Sequence, residues 1–175
     1  MDRQQLQAVQ APIKAHLRDT PDAGLVTLRA EGALDAEEIA CSVATGRALV
    51  EAGLHPATGG DGLQACSGDM LLQALVACAG VTLRSVATSM ELRVTGTVRA
   101  EGDLDFRGTL GVDRQVPVGF RAIRLLFDLE TDASEEQLAT LLRLTERYCV
   151  VYQTIAGGVA VSAGLDGGAA RGVDG

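Results

Sequence analysis

The sequence predicts an α+β domain built around antiparallel sheet. Three observations carry this. Strand-like stretches come in blocks, before and after one long helix, instead of alternating singly with helices. That helix, from Ser67 or Asp69 to about Met90, is apolar on nearly every side. Glycines punctuate short spacings, which is the mark of hairpins. The chain has 175 residues, 47% of them hydrophobic, enough for one ordinary domain with a sizeable core. Aromatic residues are only 3% and Trp is absent, so the core must come from Leu, Val, Ala and Ile.

From Asp2 to Asp19, apolar residues fall at Leu6, Val9, Ile13 and Leu17. This three-to-four residue period predicts an amphipathic helix, ended with help from Pro21. Gly24–Glu31 alternates around Leu25, Thr27 and Arg29 and predicts a strand. Glu38–Thr45 and Arg47–Glu51 predict a hairpin with Gly46 at the turn. Leu54–Gly68 is a loop holding His55, Pro56, Gly59, Gly60 and Gly62. No Lys-Ser/Thr pair follows those glycines, so the loop is not a phosphate-binding P-loop.

For the long helix, Ser67 is the predicted N-cap, and Asp69 falls in the first turn, where the helix dipole favours an acid. A helix apolar all round is buried in a domain or an interface. Small residues at Ala74, Ala77, Ala79 and Gly80 allow another helix to approach closely. Glu91–Phe106 and Phe120–Thr131 then alternate as long strands. Ser134 with Gln137 predicts a capping box opening a helix that carries Leu138, Leu141, Leu142 and Thr145. Tyr148–Ile155 is a short apolar segment that suits a further helix, and Val159–Ser162 a final strand. The boundaries expected are an N-terminal helical segment over 1–22, a folded domain over 23–163 and a flexible tail over 164–175, rich in Gly and Ala.

The net charge of −8 argues against nucleic acid as a partner, since an acidic surface repels phosphate. Met1–Asp19 has no apolar signal core and no run of 18 apolar residues occurs, so the expectation is a cytoplasmic protein that does not enter a membrane. No GxSxG elbow is present, and the only histidines are His16 and His55, which disfavours a serine hydrolase. No CxxC or HExxH spacing offers metal ligands, and no cofactor is expected.

The four cysteines, Cys41, Cys66, Cys78 and Cys149, are too few for a disulfide scaffold. Cys78 shares a helical stripe with Leu71, Leu75 and Thr82. Taken locally, Cys78 and Cys149 read equally as small hydrophobes filling core gaps. Cys41 and Cys66 read as incidental or structural, although a disulfide to Cys66 is conceivable.

Two segments decide between those readings. Cys66–Leu83, with Asp69, a Leu-Leu-Gln-Ala-Leu run and Cys78, and Glu146–Ile155, with Cys149 followed by Val150, together resemble the two cysteine segments of the OsmC/Ohr superfamily. The resemblance spans roughly Gly24–Ser162, and the ordered pair of motifs is more specific than either alone. It implies an intertwined homodimer, in which antiparallel sheets flank two central buried helices. That would explain a helix apolar all round, because the partner covers what one subunit leaves bare.

Peroxidatic members of the superfamily reduce organic hydroperoxides. By resemblance Cys78 is the nucleophile and Cys149 the resolving thiol, with a dithiol reductant completing the cycle. The peroxidatic branch holds an Arg beside the nucleophile with a Glu ten residues before it. Here that position is Gly68, and the acid is Asp69, one residue later, as in other branches. No Arg lies between Ala48 and Arg84, which leaves His55, Arg29 and Arg47 as the available cations. Two readings therefore stand. One is a thiol peroxidase using Cys78, Cys149, Asp69 and His55. The other is a non-catalytic protein of the same fold that binds an apolar small ligand in the dimer-interface cavity.

Overall fold

A computed structural model describes residues 2–20, 32–34, 40–44 and 49–164. The predicted strand Gly24–Glu31, Arg29, Arg47 and the tail beyond Gly164 lie outside the described residues.

The chain opens with α1 (Arg3–Asp19), as its periodicity predicts. Next come β1 (Gly32–Leu34), β2 (Ala40–Ala44), β3 (Leu49–Gly53) and β4 (Ala65–Cys66), which form one sheet in that order. β1–β2 and β2–β3 are antiparallel, whereas the two-residue β4 runs parallel to β3. The expected all-antiparallel sheet is corrected to that extent. The return that makes β4 parallel passes through a 3₁₀ turn at Pro56–Thr58.

α2 (Ser67–Ser89) follows at once. Its N-cap is Cys66, not Ser67: Cys66 is extended and makes no side-chain cap bond, and Ser67 is already helical because β4 runs directly into the helix. The C-terminus closes with Glu91 in the left-handed region at φ 59°. The Glu91 N–H donates to the Thr88 carbonyl and the Leu92 N–H to Ala87, a Schellman closure. This is why the next strand starts later than the alternation suggests.

That strand, β5 (Val94–Asp103), pairs antiparallel with β6 (Ala122–Thr131) over their full length, with Val98 opposite Phe127 and Ala100 opposite Leu125. Between them lies a short helix, α3 (Phe106–Thr109), capped by the Asp105 side chain on the Arg107 N–H. α4 (Glu135–Tyr148) starts at the predicted capping box: the Gln137 N–H donates to Ser134 Oγ, and the Ser134 N–H to the Gln137 side chain. α5 (Val150–Gly157) follows after a single residue, Cys149. Val159–Ser162 forms no strand; no neighbouring edge among the described residues pairs with it, and Val161 is 88% exposed.

α2 organises the core. Every fourth residue on one stripe, Leu75, Ala79, Leu83 and Ala87, is buried. The C-terminal half of the stripe packs with Val94 and Leu141, and the N-terminal half with Cys149. Along β6, alternate residues are half-buried, so Ile123, Leu125, Phe127 and Leu129 face this core. The opposite face of α2 stays bare in the single chain: Ala74, Ala77 and Val81 are exposed, Val81 by 73%. By length and hydropathy alone α2 would also suit a membrane span, a test that a core helix passes equally. Its buried stripe against β5, β6, α4 and α5 is that of a core helix.

A candidate two-cysteine site at the start of α5

Cys78 sits in the middle of α2, with Ala79 of the buried stripe beside it. Cys149 sits between α4 and α5, fully buried, with extended backbone at φ −75° and ψ 108°. The fold brings these two residues, 71 positions apart, together: Cys78 packs against the buried cluster that holds Cys149. Both are free thiols.

Cys149 is at once the C-cap of α4 and the N-cap of α5. Its N–H donates to the Thr145 carbonyl, and its carbonyl accepts from the Gln153 N–H. Its sulfur accepts the Tyr152 N–H at 3.5 Å. The first two amides of α5, Val150 and Val151, both favour the Cys78 thiolate, and Val151 acts on Cys149 as well.

The two thiols respond in opposite directions. Burial pushes the Cys78 thiol up, but the Val151 amide, the Cys149 thiol, the Val150 amide and the Thr82 hydroxyl together draw it below the ordinary thiol value. Burial pushes the Cys149 thiol up, and its contact with Cys78 adds to that, outweighing the Tyr152 and Val151 amides. The pair therefore sets Cys78, with its thiolate favoured, beside Cys149, with its thiolate disfavoured. No cation contributes to the lowering at Cys78 among the described residues. Backbone N–H groups at a helix start replace it.

Beside the cysteines lies an apolar cavity of about 380 Å³, walled by Leu71, Leu75, Phe120, Ile123, Leu125 and Tyr152. Leu75 and Tyr152 also pack in the cluster that buries Cys149, so cavity and thiols share a wall.

His55 and Asp69 are elsewhere. With Cys66, Asp103, Phe106 and Phe120 they line a second cavity of about 350 Å³. The His55 ring stacks on Phe106 at 4.9 Å, and its Nδ1 accepts the Ala57 N–H at 3.0 Å, capping the 3₁₀ turn. With its Nδ1 engaged as the cap and its ring stacked on Phe106 in this second cavity, His55 serves within this chain as a capping residue, away from Cys78. Asp69 lies nine residues before Cys78 on one helix, a rise of about 13 Å, too far for contact within the chain. Cys41 lies on β2, in register with Leu34 and Ala52. Sequence reasoning missed the role of the α5 amides. The available signal was a cysteine at the break between two apolar helical segments, a place where a cap must fall.

The sequence model of the OsmC family, described as OsmC-like protein, matches residues 60–163. No curated protein matches the chain. Among solved structures, the chain is similar to an OsmC like protein from Mycoplasma pneumoniae, with a TM-score of 0.62 and 16% identity over 76% of this chain and 89% of that one. It is also similar to an organic hydroperoxide resistance protein from Elizabethkingia anophelis, with a TM-score of 0.57 and 16% identity over 77% and 91% of the two chains. A third is the organic hydroperoxide resistance protein OhrB of Bacillus subtilis, with a TM-score of 0.51 and 16% identity over 75% and 93%. These structural likenesses concern the fold. With the sequence match covering both cysteine segments and the strands between them, the chain belongs to the OsmC-like family.

Proposed function

We propose that the protein is a thiol-dependent reductase of organic hydroperoxides. The observation that carries this reading is the thiol pair itself: Cys78 packs against the buried cluster that holds Cys149, with its own thiol drawn down and that of Cys149 pushed up.

The reaction runs in three balanced steps. The Cys78 thiolate attacks the outer peroxide oxygen, the O–O bond breaks, and an alkoxide leaves to take a proton from solvent. Cys78 is oxidised to a sulfenic acid and the peroxide is reduced to an alcohol. Cys149 then attacks the sulfenic sulfur, the S–S bond forms, and hydroxide leaves with a proton as water. An external dithiol exchanges with the disulfide, restores both thiols and is itself oxidised. The apolar cavity that shares Leu75 and Tyr152 with the cysteine cluster suits the organic group of the peroxide.

The reading includes a homodimer and a cytoplasmic location. Ala74, Ala77 and Val81 on the bare face of α2 support the dimer, since an apolar helix face wants a cover. The partner would also be the source of any acid or cation at Cys78, as Asp69 cannot reach it within one chain.

The apolar cavity also supports a second reading, a binding protein for an apolar small ligand with the cysteines as lining. Stopped-flow mixing of the reduced protein with cumene hydroperoxide, with thiols counted before and after, separates the two. The peroxidase reading expects rapid loss of two thiols, abolished in Cys78→Ser, and loss of one thiol in Cys149→Ser. Thiol loss no faster than that of free cysteine sinks it and leaves the binding reading, which expects unchanged ligand affinity in Cys78→Ser.

A further inference from the structure

We propose that Cys149 is also a positioning residue: its sulfur caps α5 and so holds the first-turn amides of that helix against Cys78. The inference rests on the reading of Cys78 as the reactive thiol, and goes beyond a resolving role for Cys149.

The geometry is specific. An eight-residue helix such as α5 is too short to hold its first turn by propensity alone. Its leading N–H groups need partners outside the helix. Tyr152 N–H finds one in Cys149 Sγ at 3.5 Å, while Gln153 N–H bonds the Cys149 carbonyl at 3.0 Å. The amides of Val150 and Val151 have no such partner in their own helix, and Val151 packs with Cys78 around the buried cluster that holds Cys149, so that the start of α5 faces Cys78 and its amides favour the thiolate there. Cys149 is fully buried, so no water replaces its sulfur as the acceptor for Tyr152. A first turn that loosens would swing Val150 and Val151 away from Cys78. It would also shift Tyr152, Ile155 and Ala156, which wall the apolar cavity. One sulfur thus fixes both the donors facing the reactive thiol and one side of the cavity.

The backbone explains why Cys149, and not Cys78, has this control. Cys78 lies in the interior of a 23-residue helix, where neighbouring turns fix its position. Cys149 is the single non-helical residue between two helices. Its torsions alone set how α5 leaves α4.

The test compares the reduced protein with Cys149→Ala and Cys149→Ser, using two readouts. One is the pH profile of iodoacetamide alkylation at Cys78, located by peptide mass spectrometry. The other is amide hydrogen exchange at Val151, Tyr152 and Gln153. Ser is among the best N-cap residues and Ala among the poorest. Cys149→Ala is expected to raise exchange at these amides and to slow Cys78 alkylation at pH 7 about tenfold, a shift of roughly one pH unit in the profile. Cys149→Ser is expected to keep both near wild type. Slowed alkylation in Cys149→Ala with unchanged exchange would overturn the proposal, because the thiol–thiol contact would then act directly. Equal slowing in Cys149→Ser with the cap intact would overturn it as well, and so would unchanged alkylation in Cys149→Ala.

Should Cys149→Ala fail to fold, Val150→Pro serves. Pro is favoured at the first helical position, and the extended Cys149 backbone suits the residue before a proline. It deletes one amide facing Cys78 and leaves the cap in place. Slower alkylation is expected, and an unchanged profile overturns the amide route. None of these measurements uses peroxide, so a protein inert to cumene hydroperoxide still reports on the cap.

Discussion

Cys78 packs against the buried cluster that holds Cys149, and the interaction of the two thiols moves their acidities apart. Ionising one makes ionising the other harder, because two thiolates in contact repel. The reduced protein should therefore show two separated thiol titrations from this pair. The first lies below the ordinary thiol value and the second above it. The sign follows from the environments. Cys78 is the thiolate at pH values above its lowered value, so its alkylation speeds up as pH rises through that point and then levels. Cys149 stays protonated over the same range and alkylates only at higher pH. Thiolate absorbance with Cys41→Ser and Cys66→Ser in the background checks this. A single transition at the free-cysteine value would remove the basis for the site.

The helix pair α2–α4 meets at Leu141, which is fully buried against Leu83, Ala87 and Val94. Leu141→Ala removes three heavy atoms where the surroundings are backbone and other core side chains. A loss of about 2–5 kcal/mol in unfolding free energy is expected. Its neighbour Leu142 is only partly buried, and Leu142→Ala should cost less. Urea denaturation of the two variants compares them directly, and equal losses would mean that the buried stripe does not hold the pair together.

The start of α4 offers a test of a purely local device. The Ser134 hydroxyl accepts the Gln137 N–H, and the Gln137 side chain in turn accepts the Ser134 N–H. Ser134→Ala leaves one helix amide without its partner and should cost about 1 kcal/mol. Thermal melting measures it. Because α4 positions Cys149 at its far end, the variant should leave the thiol titrations unchanged.

How far the sequence revealed these features depends on how local their causes are. The capping box, α4, the long α2 and the β5–β6 pair were all legible, because each follows from spacing within a dozen residues. The pairing of Cys78 with Cys149 was legible only through family resemblance, since no local pattern joins positions 71 residues apart. Cys66 as the α2 cap, the parallel two-residue β4 and the short α3 were not legible. Each depends on where the chain arrives from, not on what its residues prefer. Val159–Ser162 misled for the complementary reason: alternation proposes a strand, but a strand exists only where an edge accepts it. His55 shows the same limit for chemistry. Its place in a glycine-rich loop suggested a free cation, whereas stacking on Phe106 and capping at Ala57 make it part of the scaffold.

The exposed face of α2 bears on assembly. Val81 is 73% exposed at the centre of a helix with apolar neighbours on either side, including Ala77 and Ala74. In the proposed homodimer this face is covered. Val81→Glu would bury a charge there, and the assembly should dissociate or weaken by several orders of magnitude in affinity. Sedimentation velocity on wild type and variant measures this. A wild-type monomer at micromolar concentration would overturn the dimer. A dimer unaffected by Val81→Glu would place its interface on another face.

The turn between α2 and β5 yields a gain in stability. Glu91 occupies the left-handed region at φ 59°, where its Cβ crowds the backbone and glycine would not. The position is the C′ residue of the Schellman closure, with the Glu91 and Leu92 amides tied to Thr88 and Ala87. Two effects oppose the relief of that strain in Glu91→Gly. The unfolded chain gains freedom, and the exposed ion pair between Glu91 and Arg3 at 3.1 Å is lost. Exposed pairs of this kind contribute about 0–1 kcal/mol. The left-handed penalty, about 1–2 kcal/mol, outweighs them. Glu91→Gly is therefore expected to stabilise the protein slightly, by about 0.5 kcal/mol. Glu91→Val, whose branched side chain tolerates this conformation worst, should destabilise it. A pair of urea curves decides the matter: the order Gly above wild type above Val supports a strained but correctly closed helix end, and the reverse order would mean that the Arg3 pair, and not the backbone, governs this turn.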